Sequence, residues 1–179
     1  RLDLDELREN PTAEGFDRLD AALRETVGDL RTTVSTLHPQ VLAQVGLSAA
    51  VRDLTQRYEQ RWGTPVLSDI DEVGRPPAEA LIHRAAREFL TNAHKHSRAT
   101  RIEVALRREA GETVLRVGDD GIGFDPEILA SRVSEGHIGL ASLVVAVDST
   151  GGSVDFGTGP DGGSVVTVRV PDVLLDDRV

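Results

Sequence analysis

Cysteine is absent from this 179-residue sequence, which excludes disulfides, thiolate metal sites and a cysteine nucleophile while leaving the redox compartment open. Aromatic residues are scarce at 3%, so a core has to be assembled from Val, Leu, Ile and Ala. No apolar run approaches the ~20 residues that span a bilayer, and no signal-peptide apolar region opens the chain. A dense basic patch is lacking too. The formal net charge of -10 argues against a nucleic-acid partner or contact with an anionic membrane, so an anionic ligand would have to be held by local groups.

What is present is an ordinary soluble composition, 39% hydrophobic and 28% charged. The length suits one full domain, which usually takes ~100 to 150 residues, plus an appendage. The chain opens on "RLDLDELREN" at Arg1 and reads as a piece of a longer protein.

Leu19, Ala22, Leu23, Val27, Leu30, Val34 and Leu37 recur at three- and four-residue spacing, an amphipathic helix that Pro39 ends. Its apolar stripe needs a partner helix or a second subunit. The segment "HPQVLAQVG" reads as a connector, and the division expected is residues 1–45, helical appendage and linker, and residues 46–175, the main domain. A second helix runs from about Leu47 to Arg61 and a short strand from 63 to 70. "DEVGRPP" is a turn whose prolines start a helix from Ala78 to Ser97. "RIEVALR" and "ETVLRVG" alternate apolar and polar residues and form a hairpin. Residues 119–137 are a Gly- and Asp-rich loop with a short helix near Pro126 to Arg132. Residues 138–148 form a helix, and "SVDFGTGPDGGSVVTVRVP" forms a second hairpin. The alternation predicts a mixed, mostly antiparallel sheet covered by helices on one face, an α+β two-layer sandwich.

Three segments carry chemistry. In "EFLTNAHKHS", a helical wheel at roughly 100° per residue puts Ile82, Ala85, Phe89 and Ala93 on an apolar face. Glu88, Asn92 and Lys95 lie on one stripe beside it, His83 and His94 point to solvent, and His96 returns to the apolar edge. A hard-cation and phosphate site fits, because Mg²⁺ takes a few side-chain oxygens together with phosphates and water. An ordinary helix with an i,i+3 amide and lysine pair and a buried, satisfied His96 is the alternative. In "VLRVGDDGIGFDP" an acidic pair ends a strand, and Gly121 and Gly123 let backbone approach a ligand without Cβ interference. Asp119 is then placed to accept from a donor at a pocket base. A plain Asp-Gly turn is the alternative. In "SEGHIGLASL", Gly136 and Gly139 precede a helix whose free amides attract phosphate, or simply make a loop. His38 is tempting as a phosphoacceptor, but Pro39 ends its helix and no carboxylate is adjacent, so it has a helix-end role.

These three segments, in this order, resemble the N, G1 and G2 boxes of the histidine-kinase ATPase domain, the Bergerat fold of the GHKL superfamily, across about residues 63–171. Upstream, Leu37, Pro39, Leu42, Gly46 and Leu47 are similar to the pattern that follows the second dimerisation helix of sensor kinases paired with NarL-type response regulators. That resemblance implies a protein-histidine kinase with ATP and Mg²⁺ as cofactors. It implies that Asp119 accepts from the adenine amino group, with Gly121 and Gly123 beside the purine. Asn92 binds the metal and Glu88 orients a ligand or water next to it, the tentative catalytic carboxylate. Lys95 and His96 meet phosphate oxygens, Gly136 and Gly139 hinge the lid over ATP, and Ser164 closes the adenine pocket through a water. The phosphorylated histidine of the family lies on the first dimerisation helix, outside these motifs. The implied partners are a second copy in the intact kinase and a response regulator, with a cytoplasmic location. A stand-alone GHKL protein, such as an anti-sigma-factor serine kinase, and a degenerate nucleotide-sensing module are the alternatives. One departure is "LVVAVDSTGG", where many members carry a charged "M-x-E-R" stretch.

Overall fold

The computed structural model describes residues 42, 44–123, 138–160 and 162–173. The helix expected at 19–37, His38, the loop at 124–137 with its short helix, and Gly136 lie outside these residues.

Helix α1, Leu47–Trp62, has no Gly or Pro to break it and stops where Gly63 adopts the left-handed conformation (φ 71°, ψ 4°), its N–H donating to the Glu59 carbonyl. The buried Ser48 hydroxyl donates to the Asp71 carbonyl (2.8 Å) and accepts from the Val73 amide (3.1 Å), tying the start of α1 to the loop after the first strand. Strand β1, Val66–Ile70, leads to α2, Glu79–Asn92. Buried Ile82, Ala85, Ala86, Phe89 and Leu90 recur at helical spacing and fix which face of α2 meets the sheet.

The remaining elements are β2 (Ile102–Glu109), β3 (Glu112–Asp119), α3 (Ile138–Asp148), β4 (Ser153–Thr158) and β5 (Ser164–Pro171). Spatial order is β1-β2-β3-β5-β4, with β1 parallel to β2 and all other pairs antiparallel. The mixed, mostly antiparallel sheet expected from the sequence is therefore present. Ile102, Val104 and Leu106 of β2, Thr113, Leu115 and Val117 of β3, and Val166, Val168 and Val170 of β5 are buried, while their neighbours along each strand are not. One face of the sheet thus joins α1, α2 and α3 in a single core, and Phe89 of α2 meets Phe156 of β4 edge-on at 6.3 Å.

The long helix expected at 78–97 changes character at Asn92. Ala93–Ser97 is a π-helical turn closed by left-handed Arg98 (φ 53°). The Ser97 hydroxyl supports it by donating to the Ala93 carbonyl (2.6 Å) and accepting from the Ala99 amide (3.0 Å). A π turn takes more residues per revolution than an α turn, so wheel positions beyond 92 rotate. That is why His96 is exposed instead of returning to the apolar edge. His83 departs in the opposite sense: it is half-buried, and burial first, then the Arg87 charge, push its pKa down.

Candidate functional site

The β2–β3 register sets Asp119 opposite Ile102, at the last position of β3. It shares the strand parity of Thr113, Leu115 and Val117, so it faces the helix-covered side, where the π turn ends. Its Oδ1 accepts from the Gly121 amide (2.9 Å) and, at a long 3.5 Å, from the Ser164 amide. Its Oδ2 accepts no hydrogen bond among the described residues.

Asp120 does the opposite. Its Oδ1 accepts from the Thr100 and Arg101 amides (2.8 and 2.9 Å) and its Oδ2 from the Thr100 hydroxyl (2.7 Å). The Thr100 hydroxyl, followed by those amides, holds this carboxyl below its usual range. Of two adjacent aspartates, one is a saturated clip between β3 and the segment after the π turn, and the other keeps an open acceptor.

Backbone packing makes that acceptor rigid. A Cβ on residue 121 would lie 2.1 Å from the Ser97 carbonyl oxygen, which already accepts from the Ile122 amide at 2.9 Å. A Cβ on residue 163 would lie 1.8 Å from the Asp119 carbonyl oxygen. The glycine at 121 therefore serves first to seat β3 on the π turn, a use that spacing alone does not reveal. Gly123 has a positive φ (80°) and faces the Gly162 carbonyl.

Glu88 and Asn92 lie one turn apart on α2, both half-buried, and Lys95 and His96 follow on the exposed π turn. Gly139, in the first turn of α3, abuts Glu88, since a Cβ there would sit 2.8 Å from Glu88 Oε1. The start of α3 is held to α2 as well by Arg84, which donates to the Ser142 hydroxyl at 2.7 Å. Ser164 is buried and enters the site through its amide. Of the sequence-derived residues, Asp119, Gly121, Gly123 and Ser164 gather at the β3 exit. Glu88 and Gly139 meet where α2 and α3 touch, and Asn92, Lys95 and His96 lie along the end of α2. Ser97, Thr100 and Asp120 were missed as builders of the site; the only sequence signal was a serine and a threonine bracketing the helix end. Among the described residues no group of three acidic or imidazole side chains could hold a metal, and no helix is long and apolar enough to cross a membrane.

Comparison with known proteins matches residues 78–174 to the "histidine kinase-, DNA gyrase B-, and HSP90-like ATPase" family. The chain is 39% identical over 161 residues to the sensor histidine kinase NarS of Mycobacterium tuberculosis, covering 90% of this chain and 38% of that protein. It is 29% identical over 163 residues to a sensor-like histidine kinase of Chloroflexus aurantiacus, covering 87% and 27%. The chain thus spans well under half the length of these curated relatives. Among solved structures, the fold is similar to the histidine kinase domain of a blue-light activated histidine kinase from Erythrobacter litoralis (TM-score 0.60, 22% identity, 70% of this chain and 60% of that one). It is also similar to the ATP binding domain of PrrB from Mycobacterium tuberculosis (TM-score 0.56, 21% identity, 71% and 94%).

The chain belongs to the histidine kinase-, DNA gyrase B- and HSP90-like ATPase family. The curated relatives it is similar to are a sensor histidine kinase and a sensor-like histidine kinase, and the matched residues 78–174 are the ATPase domain that defines the family.

Proposed function

We propose that this domain binds Mg-ATP and presents the γ-phosphate to a histidine on the dimerisation helix of the intact kinase, for onward transfer to an aspartate of a NarL-type response regulator. Residues 1–45 are then the end of the dimerisation region and its linker, residues 46–175 the catalytic domain, and the kinase works as a homodimer with this portion in the cytoplasm. The observation that carries the reading is the open Oδ2 of Asp119, held at the β3 exit while Oδ1 is occupied by backbone amides. An adenine amino group is the donor that such a fixed acceptor suits.

Asn92 would hold Mg²⁺, with Glu88 orienting a ligand or water beside it. No described cluster could bind the ion alone, so phosphates and water have to complete its shell, the set of ligands Mg²⁺ prefers. When bound, the metal neutralises charge developing on the phosphoryl oxygens. Lys95 and His96 are exposed on the π turn, where their donors can meet phosphate oxygens, and Gly136 and Gly139 would hinge the lid over ATP. Phosphoryl transfer depends chiefly on positioning and charge neutralisation, so this domain need not supply a covalent nucleophile.

Calorimetric titration of ATP with and without Mg²⁺ tests the reading. Asp119→Asn mismatches a buried donor and is expected to weaken ATP by roughly 5- to 150-fold, the equivalent of ~1 to 3 kcal/mol. Wild-type protein that binds no nucleotide, or radiolabelled phosphate appearing on the isolated chain, would overturn it.

A further inference from the structure

The π turn at Ala93–Ser97 is fastened at both ends, by hydrogen bonds at one and by aromatic rings at the other. Ser97 is buried; its hydroxyl donates to the Ala93 carbonyl and accepts from the Ala99 amide, and its own carbonyl accepts from the Ile122 amide. His94 is exposed yet stacks on Trp62, with 4.7 Å between ring centres and 28° between ring planes. Trp62 is the last residue of α1 and packs at 4.4 Å on the ring of Tyr58, which is itself 2% exposed. Tyr58 meets His94 edge-on at 6.2 Å, and the Arg61 guanidinium lies 5.1 Å from the Trp62 ring centre. The rings therefore tie the first half of the π turn to a buried part of the core.

A π turn is uncommon and persists where its surroundings over-determine it. Here the two anchors, His94 and Ser97, bracket Lys95 and His96, the residues assigned to phosphate oxygens in the proposed function. The winding of the backbone between the anchors sets where those two side chains point, so releasing one anchor lets both turn away. Donors on a turn held in advance lose little freedom when an anion arrives, whereas donors on a loose turn have to be ordered at the expense of affinity. The chain has a single tryptophan, and it stands at this contact.

We propose that Trp62 is a positioning residue for the phosphate end of the nucleotide: through its stack on His94 it holds the π turn in the winding that directs Lys95 and His96 at the phosphates. This inference rests on the nucleotide reading and extends it to a residue of α1, outside all three motif segments. Neither Trp62 nor His94 touches the ligand on this account; both act through the two residues that do.

The test is a set of ATP titrations by calorimetry with Mg²⁺ present. His94→Ala removes the stack at an exposed position and is expected to weaken ATP roughly 3- to 10-fold. His94→Phe keeps a flat ring over the indole and is expected to restore most of that loss, which it could not do if His94 itself met a phosphate. In the Lys95→Ala/His96→Ala background, itself weaker toward ATP, His94→Ala is expected to lose nothing further, because it acts only through those residues. Emission from the sole tryptophan reports on the stack directly and is expected to differ between wild type and His94→Ala. The inference falls if His94→Ala binds ATP as wild type does, if its loss simply adds to that of Lys95→Ala/His96→Ala, if His94→Phe fails to rescue, or if the emission is identical. If Asp119→Asn weakens ATP while His94→Ala or Lys95→Ala/His96→Ala does not, the adenine pocket survives and this extension alone is refuted. Wild type that binds no ATP overturns both.

Discussion

The two ends of the sheet differ in what they leave unsatisfied. At the end away from the site, β2 and β3 are joined by a turn in which Ala110 and Gly111 both have positive φ (51° and 85°). There Asp172 spends both carboxylate oxygens, Oδ1 on the Thr113 hydroxyl (2.9 Å) and Oδ2 on Arg108 (2.6 Å), and its amide donates to the Gly111 carbonyl. Every polar group named there closes on the protein itself. At the site end, neither Asp119 Oδ2 nor the Tyr58 hydroxyl has a hydrogen-bond partner among the described residues. The glycines differ in parallel. Those at 121 and 163 are required by backbone pressed on backbone, whereas at Gly111 nothing lies within 4 Å of an added Cβ. On the proposed reading, the far end serves stability and satisfies itself, and the site end is packed tightly around groups left for a ligand.

The largest expected effect breaks that tight end. Gly121→Ala and Gly163→Ala each drive a methyl into a carbonyl oxygen that no rotamer change can move aside. Each is expected to cost about 3 kcal/mol or more, the upper range for overpacking, and to displace Asp119 so that ATP affinity collapses. Urea midpoints and ATP titration measure the two losses. A variant within about 0.5 kcal/mol of wild type, the range of ordinary surface changes, would show that the site end is as loose as the other.

A smaller effect sharpens the contrast between adjacent aspartates. Asp120→Ala removes the acceptor of two amides and a hydroxyl. The expected loss is about 1 to 2 kcal/mol, comparable to deleting a helix N-cap, with ATP affinity reduced far less than by Asp119→Asn. The sign with pH follows from the depressed folded pKa. The carboxylate stabilises the fold above its ordinary value of 3.8, and that contribution is lost as pH falls through the lower folded value. Asp120→Ala should therefore flatten the acid limb of the stability profile below about pH 4. An unchanged limb would mean that the clip does not hold in solution.

Much of the fold was legible because it rests on periodicity. Alternation in "RIEVALR" and "ETVLRVG" marks β2 and β3, and helical spacing from Ile82 to Leu90 marks the buried face of α2. The order of the three motif segments was also legible and led to the right family. What periodicity could not reveal lies where it breaks. The π turn at Ala93–Ser97 rotates His96 to the surface, and a wheel drawn with one constant angle carries no sign of that. The letters "DD" do not say which carboxylate is saturated, since the Thr100 and Arg101 donors come from another part of the chain. Gly121 read as room for a ligand, while the atom it makes room for first is the Ser97 carbonyl oxygen, a contact across 24 positions.

The smallest expected effect comes from the far end and completes the comparison. Gly111→Ala meets no atom, so its cost is conformational alone: holding an alanine in the left-handed region costs roughly 1 to 2 kcal/mol. Part of that returns because alanine has less freedom to lose from the unfolded chain, about 0.4 to 1 kcal/mol. A net loss near 1 kcal/mol, with ATP affinity unchanged, is expected from urea titration and calorimetry. Gly111→Asn should recover part of it, since asparagine tolerates the left-handed region better than alanine does. The same exchange to asparagine at residue 121 should recover nothing, because the barrier there is the Ser97 carbonyl oxygen and not a dihedral angle. Rescue by asparagine at 111 and its failure at 121 would separate the two uses of glycine. Rescue at both would mean that the site end is strained in its dihedrals, and that the close approach to the π turn is not what holds Asp119 in place.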